Sequence, residues 1–284
     1  MLKKLFVSSR PISWINTAFP FAAAYFLATG KVDLNLIVGS LFFLIPYNLL
    51  MYGVNDVFDY PSDLRNPRKG GIEGGLLEPK YHRPTLLVSF GLAIPFAVYL
   101  LLAGDLVSSA VLLLVMFSVV AYSLGGLRFK EIPFLDSFTS AMHFVGPMLF
   151  GLTLAGASFD QRVWLITLSF TLWGMASHAF GAVQDIKADR EAGISSIATV
   201  LGAKATVRIA FSMYLVAGVV TLFLGDRYPQ AALAAIPYLF VVGREWGITD
   251  ENCEVANRGW RRFIYLNFLA GAIVSAVIIG PQPS

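Results

Sequence analysis

Apolar residues in this chain fall into long uninterrupted blocks and do not alternate with polar ones. Nine blocks run over 12–28, 34–57, 84–103, 106–124, 137–155, 163–183, 205–224, 228–242 and 263–279. Crossing a bilayer core of about 30 Å takes roughly 20 mostly apolar residues as a helix, which these blocks match. A barrel would show short alternating segments, so the pattern predicts an all-α, polytopic membrane protein with nine transmembrane helices. The eighth block is the weakest, being short and interrupted by Pro237. Composition changes the picture little: 56% of the 284 residues are hydrophobic and 14% charged, which excludes a soluble globular core. The basic Lys3, Lys4, Arg10 stretch enters the first block without a small-residue cleavage pattern, so this segment is expected to stay attached. The single cysteine, Cys253, offers neither a disulfide framework nor a metal-binding pair.

Net charge is only +3, but its placement is informative. Threading nine alternating helices puts 18 of the 21 Lys and Arg residues on the side of the N-terminus, leaving Lys31, Arg162 and Arg227 opposite. The positive-inside rule then makes the N-terminus cytoplasmic and the C-terminus external. An even number of helices would scramble this asymmetry.

The cytoplasmic loops also carry most of the acids. The second block ends Asn55-Asp56-Val-Phe-Asp59-Tyr-Pro-Ser-Asp63, in which Asn55, Asp59 and Asp63 recur every four residues and Asp56 precedes Asp59 by three, a spacing that shares one helix face. Pro61 bends or ends the helix there. The sixth block ends Asp185-Ile-Lys187-Ala-Asp189-Arg190, a second carboxylate pair at a spacing of four. Stacked like charges repel, and charge at a membrane interface is costly, so such clusters call for a cation. Oxygen donors suit Mg²⁺, which a few carboxylates hold while it also coordinates phosphates. The interleaved Arg65, Arg68, Lys69, Lys187 and Arg190 would meet the remaining phosphate charge, making a metal-bridged diphosphate the simplest ligand using both signs. Either motif alone reads equally well as solvated loop; two on equivalent helix ends do not.

The loop after the fourth block holds Tyr122, Arg128, Lys130 and Asp136; its two basic residues serve either as diphosphate clamps or as positive-inside anchors. Gly70, Gly71, Gly74 and Gly75 give the loop after the second block lid-like freedom but match no P-loop. His178 lies seven residues before Asp185, on roughly the same helix face one layer deeper, and reads as an interior histidine or a base.

Taken together these residues resemble the intramembrane prenyltransferases of the UbiA superfamily. The resemblance runs from Arg10-Pro11 through Asn55-Asp56-x-x-Asp59-x-x-x-Asp63 and the Tyr122-Ser loop to Asp185-x-Lys187-x-Asp189. It implies one membrane domain over residues 1–284, nine helices around a central cavity, and a prenyl chain in a lipid-accessible tunnel. It further implies Mg²⁺ held by Asn55, Asp59, Asp63, Asp185 and Asp189, with Arg10, Arg68, Lys130 and Lys187 as diphosphate contacts. The stretches 63–74 and 177–193 resemble the carotenoid branch, whose lycopene elongases add dimethylallyl units to lycopene to give C45 and C50 products. That reading implies a multi-pass cell-membrane enzyme with its active site on the cytoplasmic face. Its partners would be dimethylallyl diphosphate, lycopene, membrane lipid and carotenoid-pathway enzymes, with no nucleic acid. Other acceptors within the same chemistry (a quinone precursor, chlorophyllide, haem or a glycerol-phosphate lipid) stay open at this point. So does a cation-coupled transporter, although transporter acids sit nearer the bilayer midplane.

Overall fold

A proline near the middle of the second apolar block would leave helix carbonyls without donors inside lipid, and the chain's answer to this shows how its first part is built. The computed structural model describes residues 1–64, 76–226 and 228–280, and among them every regular element is helical, with no strand. The chain divides into two compact units, residues 1–129 with 142–158 and residues 130–141 with 159–284.

In the first unit, α1 (Leu2–Ser8) precedes α2 (Trp14–Thr29), and the second block splits into α3 (Leu34–Leu44) and α4 (Pro46–Phe58). Pro46 supplies no N–H. The carbonyl of Phe43 instead accepts from Thr17 Oγ1 at 2.7 Å and Asn48 Nδ2 at 2.8 Å, and that of Leu44 from Asn48 Nδ2 at 3.2 Å. Both donor residues are fully buried, so the break is satisfied by side chains as lipid requires. A short α5 (Tyr60–Asp63) continues the line, followed by α6 (His82–Ala103), α7 (Leu106–Ser123) and most of α8 (Leu135–Leu154). Phe21, Phe42, Phe43, Tyr47 and Phe150 interlock as the aromatic core of this unit. Gly39 admits the Phe21 ring, which a Cβ there would meet at 2.1 Å.

The second unit contains the first turns of α8, then α9 (Gln161–Val183), α10 (Ile186–Ala192), α11 (Ile197–Leu201), α12 (Ala203–Thr221), α13 (Ile236–Gly243) and α14 (Ala256–Ile279). Its core stacks Phe180, Tyr214, Tyr238 and Phe263, with α9 packed along α12. The buried tyrosine hydroxyls are satisfied, Tyr214 with Ser177 at 2.7 Å and Tyr238 donating to Asn267 at 2.8 Å.

All nine apolar blocks lie on helix, the eighth on a 3₁₀ turn (Tyr228–Ala235) running into α13. Among the described residues five continuous helical runs are long and apolar enough to cross a membrane, and a sixth is reached by counting 250–279, bent by 42°, as one. The others fall short for visible reasons. Helix α2 has only 16 residues and contains Pro20, and α8 is diluted by Ser137, Thr139 and His143. Apolar side chains such as Leu102, Leu106, Leu114 and Phe223 stand more than 60% exposed on the outside, the arrangement of a multi-pass membrane protein.

Candidate functional site

Acids near helix ends in this chain have two different fates. Asp33, Asp105 and Asp160 cap the starts of α3, α7 and α9 by accepting from Leu36, Ser108 and Val163 N–H groups at 2.8–3.0 Å. Asp56, Asp59 and Asp63 sit where α4 gives way to α5 and are only 1%, 4% and 6% exposed. Three carboxylates this deep and this close need positive charge.

Part of that charge comes from two arginines. Arg10 Nη2 donates to Asp56 Oδ1 at 3.0 Å while its guanidinium lies over the Tyr52 ring, 4.3 Å from the centroid. Ser8 Oγ donates to the other Asp56 oxygen at 2.7 Å. Arg128 Nη2 stands 3.8 Å from Asp59 Oδ1. Both arginines hold a left-handed backbone, with φ of 48° and 42°, and they are two of the four non-glycine residues with positive φ among those described. Such strain persists where surrounding contacts fix it, and it marks this cluster as a place where charge position outweighs backbone comfort.

Helical spacing put Asp56 on the Asp59 face, but the structure turns it to the N-terminal segment. Asn55 is the residue that meets Asp59, donating from Nδ2 to Asp59 Oδ2 at 2.6 Å and to Ser123 Oγ at 2.9 Å. The chain kinks at Asp59, and Asp63 N–H closes onto the Asp59 carbonyl at 2.8 Å, so Asn55, Asp59 and Asp63 stay in successive turns. The bend therefore precedes Pro61.

In the second unit, Asp185 follows the end of α9 and Asp189 lies one turn on in α10, both half-buried, with Asp189 N–H donating to the Asp185 carbonyl at 2.8 Å. Lys187 projects away to the 250–255 turn, pairing with Glu254 at 2.9 Å and donating to the Glu251 carbonyl at 2.6 Å. The Glu254 hydrogen bond raises the lysine's pKa. Arg190 reaches Asp250 at 2.7 Å, and Asp250 also accepts from Ala203 N–H at 2.6 Å. That backbone bond, followed by Arg190, holds the Asp250 carboxyl below the usual carboxylate range. Lys130 is half-buried in the 3₁₀ turn Phe129–Glu131. Arg65, Arg68, Lys69 and the glycines at 70, 71, 74 and 75 lie outside the described residues.

Among the described residues no three His, Cys, Asp or Glu side chains converge into a self-sufficient metal cage. Mg²⁺ needs no such cage, because it takes one or two carboxylates and fills its remaining positions with water and substrate phosphate. An all-oxygen set of Asn55, Asp59 and Asp63 beside Arg10 and Arg128 fits such a cation and its phosphate counter-charge. Ser8 and Ser123 belong to this network, and no motif in the sequence marked them, because their partners are 48 and 68 residues away.

The model of the UbiA prenyltransferase family matches residues 17–269. A C50 β-cyclic carotenoids biosynthesis protein, LbtBC of Dietzia sp. (strain CQ4), is 56% identical over 98% of this chain, which spans 65% of that protein's length. The lycopene elongase/hydratase of Corynebacterium glutamicum (strain ATCC 13032) is 49% identical, covering 98% of this chain and 97% of that one. The fold is that of a UbiA homolog from Archaeoglobus fulgidus solved bound to DMAPP and Mg²⁺, with a TM-score of 0.69 at 17% identity over 96% of this chain and 99% of that one.

Proposed function

The chain belongs to the UbiA prenyltransferase family, and from that premise we propose that it transfers the dimethylallyl group of dimethylallyl diphosphate to the ends of lycopene, giving C45 and C50 carotenoids. The observation that carries the acceptor is 49% identity to a lycopene elongase/hydratase along almost the whole of both chains. The Asn55-Asp59-Asp63 ladder, its two carboxylates buried, with Arg10 and Arg128 nearby, supports the chemistry. Asn55, Asp59 and Asp63 of the first unit and Asp185 and Asp189 of the second would hold Mg²⁺; Arg10, Arg68, Lys130 and Lys187 would contact the diphosphate. All nine apolar blocks would cross the cell membrane, with the N-terminus and both motifs on the cytoplasmic face, as the distribution of basic residues supports.

Bound Mg²⁺ would supply charge neutralisation on the departing diphosphate. The chain's own groups do the rest. Arg10 and Arg128 place fixed positive charge beside the acidic ladder, so negative charge growing on a leaving group there is stabilised without reorganisation. Asn55, held by Asp59 and Ser123, keeps its amide oxygen oriented away from those partners. The allylic C–O bond breaks, its electron pair leaving with the diphosphate, and the terminal double bond of lycopene attacks the allylic carbon. The apolar helices keep water from the cation meanwhile.

Expression in a lycopene-producing host is the test. C45 and C50 masses are expected, with more than about 90% of conversion lost when membranes are assayed with a Mg²⁺ chelator. Unchanged lycopene, with the protein present in the membrane, would remove the acceptor and direct the search to a quinone precursor or a lipid.

A further inference from the structure

In the second unit Lys187, Arg190 and Arg162 are ion-paired, with Glu254, Asp250 and Asp226 in turn. Three arginines where α13 meets α14 differ: among the described residues none of them is ion-paired. Arg244, just past the end of α13, and Arg258 and Arg262 of α14 line one pocket of about 290 Å³ together with Glu245 and Gly259. We propose that this pocket binds the phosphate of an anionic phospholipid headgroup, with the acyl chains lying along the exposed apolar sides of α13 and α14. The proposal holds whichever acceptor the enzyme prenylates.

Close helix packing builds the pocket. A Cβ on the buried Gly259 would stand 2.9 Å from Phe180 Cζ and 3.2 Å from Val241 Cγ1, so glycine lets α14 lie tightly against α9 and α13. That approach brings Arg258 and Arg262, one turn apart on the α14 surface, beside Arg244. With Glu245 counted, the pocket keeps a net charge of +2. Like charges four residues apart repel, and Arg258 lies in the first turn of α14, where the helix dipole also disfavours a cation. Helix stability therefore gives no reason for this arrangement, whereas a bound anion does. Guanidinium forks match phosphate oxygens in two-point contacts.

The surroundings select a lipid over a free phosphate. Ile236 and Phe240 precede Arg244 at four-residue steps along α13, and both are exposed. The Arg244 guanidinium lies over the Phe240 ring, 5.5 Å from its centroid. Beyond Arg262, Tyr265 and Leu269 of α14 are exposed as well. A ligand with its charge among the arginines can thus continue along apolar side chains on both helices, which suits acyl chains and offers a free phosphate nothing. Nearby, the exposed Trp246 meets Phe211 of α12 edge-on at 5.3 Å, with the Arg208 guanidinium 5.1 Å from its ring. Exposed tryptophan beside arginine belongs at headgroup level, and basic pockets between membrane helices take lipid headgroups.

The test uses the full chain, purified in a nonionic detergent and stripped of lipid, with binding read by native mass spectrometry and by thermal unfolding. Phosphatidylglycerol is compared with phosphatidylcholine of the same acyl chains, and inorganic phosphate forms a third arm. Phosphatidylglycerol is expected to bind at least about tenfold more tightly than phosphatidylcholine, the scale of a few basic residues acting on one anionic lipid, and to raise the melting temperature. The double variant R258Q/R262Q should lose that preference. R261Q, which removes an equally exposed arginine that does not line the pocket, should keep it. Without lipid, R258Q/R262Q should melt at or above the wild-type temperature, because repulsion within α14 is relieved. Should the double variant fail to accumulate, R244Q carries the same comparison. Equal binding of the two lipids overturns the proposal. So does a loss in R261Q as large as in R258Q/R262Q, which would show attraction to surface charge at large. Inorganic phosphate that displaces the lipid and stabilises the protein as fully assigns the pocket to a free phosphate and overturns the lipid.

Discussion

Asp59→Asn is expected to lower lycopene elongation by about 10³-fold, the scale of removing one preorganised charge-stabilising group, while leaving the melting temperature in detergent within about 2 °C of wild type or raising it. The asymmetry follows from where Asp59 sits. It is 4% exposed, one turn before the buried carboxylate of Asp63, and Arg128 Nη2 lies 3.8 Å from it. Neutralising one member of such a group relieves repulsion in the folded protein. The amide still accepts from Asn55 Nδ2, so the ladder between α4 and α5 persists. What disappears is the charge available to a divalent cation, so the residual activity should need more Mg²⁺ to saturate. Measuring conversion against Mg²⁺ concentration, with thermal unfolding of the same preparation, separates the two effects. Activity above a tenth of wild type at low Mg²⁺ would remove Asp59 from the proposed metal set. Asp185→Asn should behave in the same direction.

The apolar blocks and the two acidic spacings were legible because both are local signals: a span needs only its own residues, and a four-residue recurrence needs only a helix. What escaped was set by partners far along the chain. Spacing put both Asn55 and Asp56 on the Asp59 face; only the return of the N-terminal segment with Ser8 and Arg10 decides that Asp56 faces elsewhere while Asn55 meets Asp59. Asp136 stood in the sequence as a lone acid at the end of a basic loop, and its meaning depends on Ile197, 61 residues on, and on a serine that reaches His178 across 41. The second block read as one helix, and the break at Pro46 is invisible as damage because Thr17, in a different helix, helps to repair it. Lys187 spaced itself like a phosphate contact, yet its described partners are Glu254 and the Glu251 carbonyl, supplied by a turn 64 and more residues away.

Asp56→Ala is the complementary case, expected to destabilise the protein by about 3 kcal/mol and so to lower its melting temperature by roughly 6–10 °C. Asp56 is 1% exposed and accepts from both Ser8 and Arg10, so truncation leaves a guanidinium pressed on the Tyr52 ring without its carboxylate. The left-handed backbone of Arg10 then loses a contact that holds it. Activity falls in this variant for either of two reasons, a displaced Arg10 or a loosened α1, and the double variant Asp56→Leu with Arg10→Met tells them apart. Replacing a buried ion pair by apolar side chains of similar size commonly restores stability. If Arg10 only braces the N-terminal segment against α4, elongation should return with the melting temperature. If Arg10 meets the diphosphate, the melting temperature recovers and turnover stays at least about 100-fold down, which is the expected result. The positive φ of Arg10 favours it: a brace could be built from an unstrained residue, whereas a charge that must lie both on Asp56 and beside the acidic ladder leaves the backbone little choice.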